Sequence, residues 1–159
     1  GAMKIILILV GKTVDSNLKA LLENYASRIT HYVPFEIKIV PEPKNTSSLT
    51  NEKQCAAEGE SIKKLLQNDD WIILLDERGK EYRSVEFAEK LKRQWHTLSK
   101  RLVFIIGGPY GFSPEIKAMA NELMSLSKMT FSHQMVRVIF AEQFYRALTI
   151  IKGEPYHHE

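Results

Sequence analysis

Cysteine is almost missing from this sequence: 159 residues contain only Cys55. A lone thiol cannot close a disulfide within the chain, so the fold must rest on its apolar core, and such usage suits a reducing, cytoplasmic setting. No apolar run approaches the ~20 residues of a membrane helix, and no export-signal pattern opens the chain, so neither a membrane partner nor secretion is expected. Repeats, low-complexity tracts and long linkers are also missing, which argues against solenoids and several domains. Charge of one sign is scarce as well. A net +3 excludes a polybasic nucleic-acid binder of the strongest kind while leaving a nucleic-acid partner open. The segment Val10-Gly11-Lys12-Thr13 resembles the end of a phosphate loop, but the required glycine five positions before Gly11 is replaced by Ile6. Without that glycine no ring of backbone amides forms to hold a phosphate. Gly1-Ala2 reads as a tag remnant, leaving residues 3–159 as a single domain.

What is present alternates strand and helix from end to end. Lys4 to Val10 is a continuous apolar run, as in a strand buried on both faces of a parallel sheet. Leu18, Leu21, Leu22, Tyr25, Ala26 and Ile29 then recur at helical spacing. Phe35 to Val40 alternates with period two until Pro41 and Pro43. A second helix is expected over Thr50 to Gln67, with Ile62, Leu65 and Leu66 on one face. Trp71 to Leu75 reads as a third strand ended by the charged turn Asp76 to Lys80. Phe87, Ala88, Leu91, Trp95 and Leu98 mark a third helix with Ser84 as its N-cap. Leu102 to Ile106 is a fourth strand, Ser113-Pro114 opens a short helix, and Leu123 to Ser127 reads as a fifth strand. A long helix from His133 to Ile151 ends at Gly153. The fold class is α/β with a parallel sheet, whose ligands sit beyond the carboxyl ends of the strands.

That rule directs attention to the loops after Leu75, Ile106 and Ser127. Gly107-Gly108-Pro109-Tyr110-Gly111 can be a mere tight turn, or three glycines that let a ligand lie against bare backbone. It lacks the acidic ribose partner of a dinucleotide site. Leu126 to Gln134 mixes apolar, hydroxyl and basic residues without a period, either as a connection capped by Ser132 or as a functional loop. In the last helix Glu142 and Arg146 stand four apart, the spacing of a structural bridge. Its apolar positions Met135, Val136, Val138, Ile139, Phe140, Phe144, Leu148 and Ile151 exceed what one sheet face covers, which suggests a subunit interface. The end Pro155-Tyr156-His157-His158-Glu159 is by default a frayed tail, although one tyrosine and two histidines suit a docked segment better.

Taken together, several motifs resemble one small SPOUT family, the 23S rRNA pseudouridine N3-methyltransferases. They are Val10-Gly11-Lys12, Leu75-Asp76 with Gly79-Lys80, Ile105 to Pro109 with Gly111, Leu126 to Thr130, His133 with Val136-Arg137-Val138, Glu142-Gln143 with Tyr145-Arg146-Ala147, and Pro155-Tyr156-His157. The resemblance runs the length of the chain, in order and at matching spacing. It implies a carboxyl-terminal trefoil knot, a homodimer, S-adenosylmethionine as cofactor, no metal, and a pseudouridine of 23S rRNA on the assembled ribosome as substrate. It places cofactor contacts on Leu75, on Gly107 and Gly108, and on Leu126, Ser127, Lys128, Met129, Thr130 and Phe131. Direct methyl transfer to N3 then needs a group to take the imide proton, and Tyr156 and His157 are the expected catalytic pair, with Glu142 a weaker candidate. Arg137 and Arg146 are expected to be structural or phosphate-facing. Many relatives carry arginine or lysine where this chain has His158, which offers less positive charge to an RNA phosphate at neutral pH. Two other readings share this outline: a SPOUT enzyme acting on transfer RNA, and a flavodoxin-like binding domain using the loop after the first strand.

Overall fold

The computed structural model describes residues 3–97 and 100–158. The expected tag remnant Gly1-Ala2, Leu98 of the third helical pattern and the terminal Glu159 lie outside the described residues. Along the chain run β1 (Lys4–Val10), α1 (Ser16–Thr30), β2 (Phe35–Val40), α2 (Asn51–Lys63), β3 (Trp71–Glu81), α3 (Ser84–Thr97), β4 (Arg101–Ile106), α4 (Pro114–Met119), β5 (Glu122–Ser125) and α5 (Met135–Lys152). The strands form one sheet in the order β2-β1-β4-β3-β5. Every adjacent pair is parallel.

Side-chain alternation along the central strands sorts the core into two halves. Ile5, Leu7 and Leu9 of β1, with Leu102, Phe104 and Ile106 of β4, face α1, α3 and α5. Ile6, Ile8, Val10, Val103 and Ile105 point the other way, to Ile62 of α2 and Ile116 of α4. The result is a three-layer sandwich whose middle strands are buried on both faces, which is why they read as unbroken apolar runs. At the heart of the first half, Phe104 lies 4.9 Å from Phe140 and 5.7 Å from Phe144 between ring centroids.

Several boundaries differ from the sequence pattern, each for a local reason. The charged run after Leu75 does not end β3. Leu75 and Lys80 both pair with Met124, so residues 76–79 bulge out and the strand resumes. Gly79 permits this: a Cβ there would sit 2.4 Å from the Met124 nitrogen and 2.5 Å from the Leu123 carbonyl carbon. The second helix was expected over Thr50 to Gln67, but Thr50 is its N-cap and α2 stops at Lys63, because the Leu65 and Leu66 amides bond three residues back and tighten the final turn. β5 ends at Ser125, whose hydroxyl donates to the Ser127 carbonyl at 2.8 Å and curls the chain out of the sheet. Ser84 is not the cap of α3. It is the first helical residue and donates to Gln143 Oε1 at 3.0 Å, while the Glu86 carboxylate accepts the Arg83 amide at 2.8 Å.

α5 begins at Met135, with His133 and Gln134 in a preceding turn and the Met135 amide donating to Ser132 Oγ at 3.1 Å. Its apolar surplus is smaller than the pattern suggested. The helix is packed against both α1 and α3. Val138, Phe140, Phe144 and Leu148 are therefore buried within this chain, while Met135 stays 42% exposed and Val136, Ile139 and Ile151 are half-buried.

Candidate active site

The three loops singled out by the strand-end rule meet around one cavity of about 580 Å³. Its wall comprises Leu75 to Arg78 from the β3 bulge, Ile106 to Phe112 after β4, Met124 to Ser127 at the end of β5, then Met129 to His133 and Val136. Of the residues expected to touch a cofactor, Leu75, Gly107, Gly108, Leu126, Ser127, Met129, Thr130 and Phe131 all line it. Lys128 belongs to the same loop but is not part of the wall.

The hydroxyls of this loop are spent on holding its shape. Ser127 Oγ accepts the Met129 amide at 3.0 Å, and Thr130 Oγ1 donates to Glu77 Oε2 at 3.1 Å. The second contact ties the loop to the β3 bulge, joining two walls of the cavity. Asp76 lies on the same bulge. Burial works to raise its carboxyl, but the Arg78 backbone N–H and guanidinium outweigh burial and hold it below the ordinary carboxylate range.

The glycine loop is folded back on itself, with the Gly111 amide donating to the Gly108 carbonyl at 3.3 Å and Gly111 at φ +80°. The expectation that these glycines bare backbone to a ligand needs correction in one respect. A Cβ on Gly107 would meet the Gly111 carbonyl at 3.0 Å and the Phe112 ring at 3.1 Å, and one on Gly108 would lie 2.6 Å from the Glu58 carboxylate. The missing side chains make room first for the loop and for α2 beneath it. Glu58 was not anticipated from the sequence. It is only 3% exposed, accepts from Gln54 Nε2 at 3.3 Å and lies against the Gly108 backbone. Burial pushes its carboxyl up, partly offset by Gln54 and the Gly108 backbone, with Glu42 adding to the rise. The spacing Cys55, Glu58, Gly59, Ile62 on one helix face carried the signal, since it sets Glu58 among residues that are all buried.

The loop after β1 is occupied by the chain itself. Arg137, 1% exposed, donates to the Val10 carbonyl at 2.6 Å, to Thr13 Oγ1 at 3.0 Å and to the His133 carbonyl at 3.0 Å. Gln134 adds bonds to the Lys12 carbonyl (3.1 Å) and from the Val14 amide (2.8 Å). This stretch fastens the start of α5 to β1, and Arg137 is structural as expected.

Tyr156 and His157 do not line the cavity. α5 starts at the cavity wall and is about 27 Å long at 1.5 Å per residue, and the tail follows its far end. The tail is docked there. The Tyr156 ring packs edge-on to Tyr145 (4.8 Å between centroids) and under the Arg146 guanidinium (4.8 Å), and His157 Nδ1 lies 3.1 Å from Arg146 Nη1. Arg146 also bonds Glu142 at 2.6 Å, the expected bridge. Burial, followed by a hydrogen bond with Tyr25 and the charge of Glu142, pushes the Tyr156 phenol up to about 12.

A five-stranded parallel sheet with a loop-walled cavity past its carboxyl edge is the frame of an α/β enzyme with a small-molecule site. The family described as "Predicted SPOUT methyltransferase" matches residues 3–157, and the chain belongs to it. The chain is 54% identical over 157 residues to the Ribosomal RNA large subunit methyltransferase H of Phocaeicola vulgatus, covering 99% of this chain and 100% of that protein. The protein of the same name from Bacteroides thetaiotaomicron shows the same identity and coverage. Among solved structures, a probable methyltransferase from Bordetella pertussis Tohama I superposes with a TM-score of 0.52 at 11% identity, over 93% of this chain and 95% of that one, a likeness of fold alone. Family membership makes the chain a methyltransferase and removes the flavodoxin-like reading.

Proposed function

We propose that this enzyme transfers a methyl group from S-adenosylmethionine to N3 of a pseudouridine in 23S ribosomal RNA, on the assembled ribosome in the cytoplasm. The observation that carries this reading is the full-length 54% identity to large-subunit rRNA methyltransferases, coupled to a cavity built from the three expected loops. The cavity suits the cofactor: its volume falls within the ~300–1,000 Å³ of small-molecule sites. Leu75, Ile106, Leu126 and Val136 offer apolar walls to a purine, and Asp76 and Glu77 bring carboxylates near a positively charged ligand. When bound, S-adenosylmethionine supplies a methyl group made electrophilic by its sulfonium.

The residues of the chain then contribute alignment and exclusion of water. The stitched loop 125–131 and the β3 bulge fix two walls, so a bound electrophile meets its nucleophile with little freedom left to lose. Tyr156 and His157 act at the cavity of a second copy in a homodimer, where the tail can reach from outside, Tyr156 stacking on the splayed-out base and His157 taking the N3 proton. The surface left on α5 around Met135, Val136 and Ile139 supports that assembly. The carboxyl-terminal segment is also proposed to be knotted. After β4 the chain crosses beyond β3 to form β5 at the sheet edge, then returns as α5 beside α1.

Calorimetry with S-adenosylmethionine, sedimentation, and single-turnover methylation test the reading. We expect stoichiometric binding, a species of twice 18.3 kDa, and methyl transfer to intact ribosomes but not to free transfer RNA. Methylation of transfer RNA in preference to ribosomes would overturn it.

A further inference from the structure

Two arginines flank the docked tail, and they are partnered differently. Arg146 is committed: its guanidinium bonds Glu142 at 2.6 Å and lies over the Tyr156 ring. Arg28 of α1 is exposed, and its guanidinium carbon stands 5.5 Å from the Tyr25 ring centroid and 5.4 Å from that of Tyr145. Tyr25 and Arg28 are three apart on one helix face, and Tyr145 comes from α5, packed alongside. Among the described residues no carboxylate comes within ion-pair distance of Arg28. The acids at this end of the molecule are engaged elsewhere, Glu142 by Arg146 and Glu154 by the Tyr32 hydroxyl, which donates to it at 2.6 Å.

A guanidinium stacks through its face and bonds through its edge, so rings against the face orient it and leave the edge to outside acceptors. Ordering a long exposed side chain costs rotamer entropy, and the two ring contacts offset that cost before any ligand arrives. A cation prepared in this way suits an oxyanion that can take two parallel N–H bonds. The Tyr145 ring that orients Arg28 also carries Tyr156 of the tail, 4.8 Å away between centroids. Arg28 is thus one side chain removed from the tyrosine proposed to stack on the target base, a span on the scale of a single nucleotide. We infer that Arg28 is a substrate-binding residue, clamping an RNA phosphate beside the nucleotide on which Tyr156 stacks. The inference rests on the tail reading above and adds to it a residue of α1, outside the cavity wall of its own chain.

The test compares the full-length protein with Arg28→Met, which keeps apolar contact with the rings, and Arg28→Lys, which keeps the charge. Three quantities are read: the dissociation constant for intact ribosomes across a range of potassium chloride, the single-turnover methylation rate at saturating ribosomes, and the melting temperature. Arg28→Met should bind about 10-fold more weakly, the scale of one charge-assisted contact. The slope of log Kd against log salt should fall by about one, the share of one phosphate contact. Its rate at saturation should change much less. Arg28→Lys should keep the slope and most of the affinity. Parental affinity and slope in Arg28→Met would overturn the inference. Weaker binding at an unchanged slope would overturn it too, and leave Arg28 as packing for the tyrosines. A variant lacking residues 156–159 separates this contact from the tail reading. If it methylates at full rate while Arg28→Met still lowers the slope, the tail is idle and the phosphate contact stands. A parent that binds ribosomes without methylating them refutes the proposed function, and the slopes still decide Arg28.

Discussion

Adding one methyl group at Gly79 should disturb the site more than adding one inside the glycine loop. In Gly79→Ala the new carbon would stand 2.4 Å from the Met124 nitrogen and 2.7 Å from the Leu123 carbonyl oxygen, both backbone atoms of β5. Ordinary carbon contacts need about 3.5 Å, so β5 must retreat by roughly 1 Å or lose its pairing with β3. β5 is an edge strand with β3 as its sole strand neighbour among the described residues, so no further strand holds it against that movement. Overpacking of this kind costs about 1–3 kcal/mol, and at about 2–4 °C per kcal/mol for a chain of this size the melting temperature should fall by roughly 2–12 °C. Met124 to Ser127 form a cavity wall, so the same retreat misplaces the cofactor, and a shift near 1 Å can reduce turnover about 100-fold. Gly111→Ala is the control. It has open space for its Cβ but sits at φ +80°, so for stability only the backbone strain of about 1–2 kcal/mol applies and β5 is left in place. Thermal unfolding and single-turnover methylation on ribosomes measure both effects. A Gly79→Ala protein that melts and methylates like the parent would show that the bulge does not hold β5 in place, and the reasoning would fail.

Other perturbations test other parts of the structure. Arg137→Lys keeps the charge but cannot span the Val10 carbonyl, Thr13 and the His133 carbonyl together, so it should melt several degrees lower; an unchanged melting temperature would deny Arg137 its role as a fastener. The raised carboxyl of Glu58 means that the folded state holds its proton to higher pH than the unfolded chain does, so this group lowers stability as pH rises above the ordinary carboxylate range. Glu58→Gln should accordingly unfold at higher denaturant than the parent at pH 8, with the gap closing toward pH 4; a gap independent of pH would contradict the burial argument. Removing residues 156–159 should slow single-turnover methylation by about 100-fold, the scale of a lost acid–base group, and leave S-adenosylmethionine affinity nearly unchanged. Full activity after truncation would release Tyr156 and His157 from any part in the chemistry.

How much of this was legible in advance depended on whether a residue's environment is set locally. Strands β1 and β4 are buried on both faces, and unbroken apolar runs declare that without reference to the rest of the chain. The strand-end rule then found the cavity, because parallel topology alone puts the loops after Leu75, Ile106 and Ser125 on one side. The bulge at residues 76–79 was hidden because its cause is a backbone contact with β5, more than forty positions away in sequence. Glu58 looked like one more charge in the polar segment Asn51 to Lys63, and only the packing of the glycine loop over α2 explains its burial. The composition of the tail correctly suggested a docked segment, but its location follows from the length of α5 and from Arg146 and Tyr145 near the end of that helix.

The strand order also bears on how the molecule is made. The two central strands join residues as far apart as Lys4 and Arg101, and no adjacent strands are linked by a hairpin. Such long-range pairing closes large loops before any contact rewards them, which slows folding. During synthesis β1 has only β2 to pair with until β4 leaves the ribosome, so the nascent chain carries an open apolar edge for much of its translation. β5 and α5 arrive last, and the cavity cannot close before they do. The site is thus a late product of folding, since two of its walls belong to the elements that join the sheet after β4.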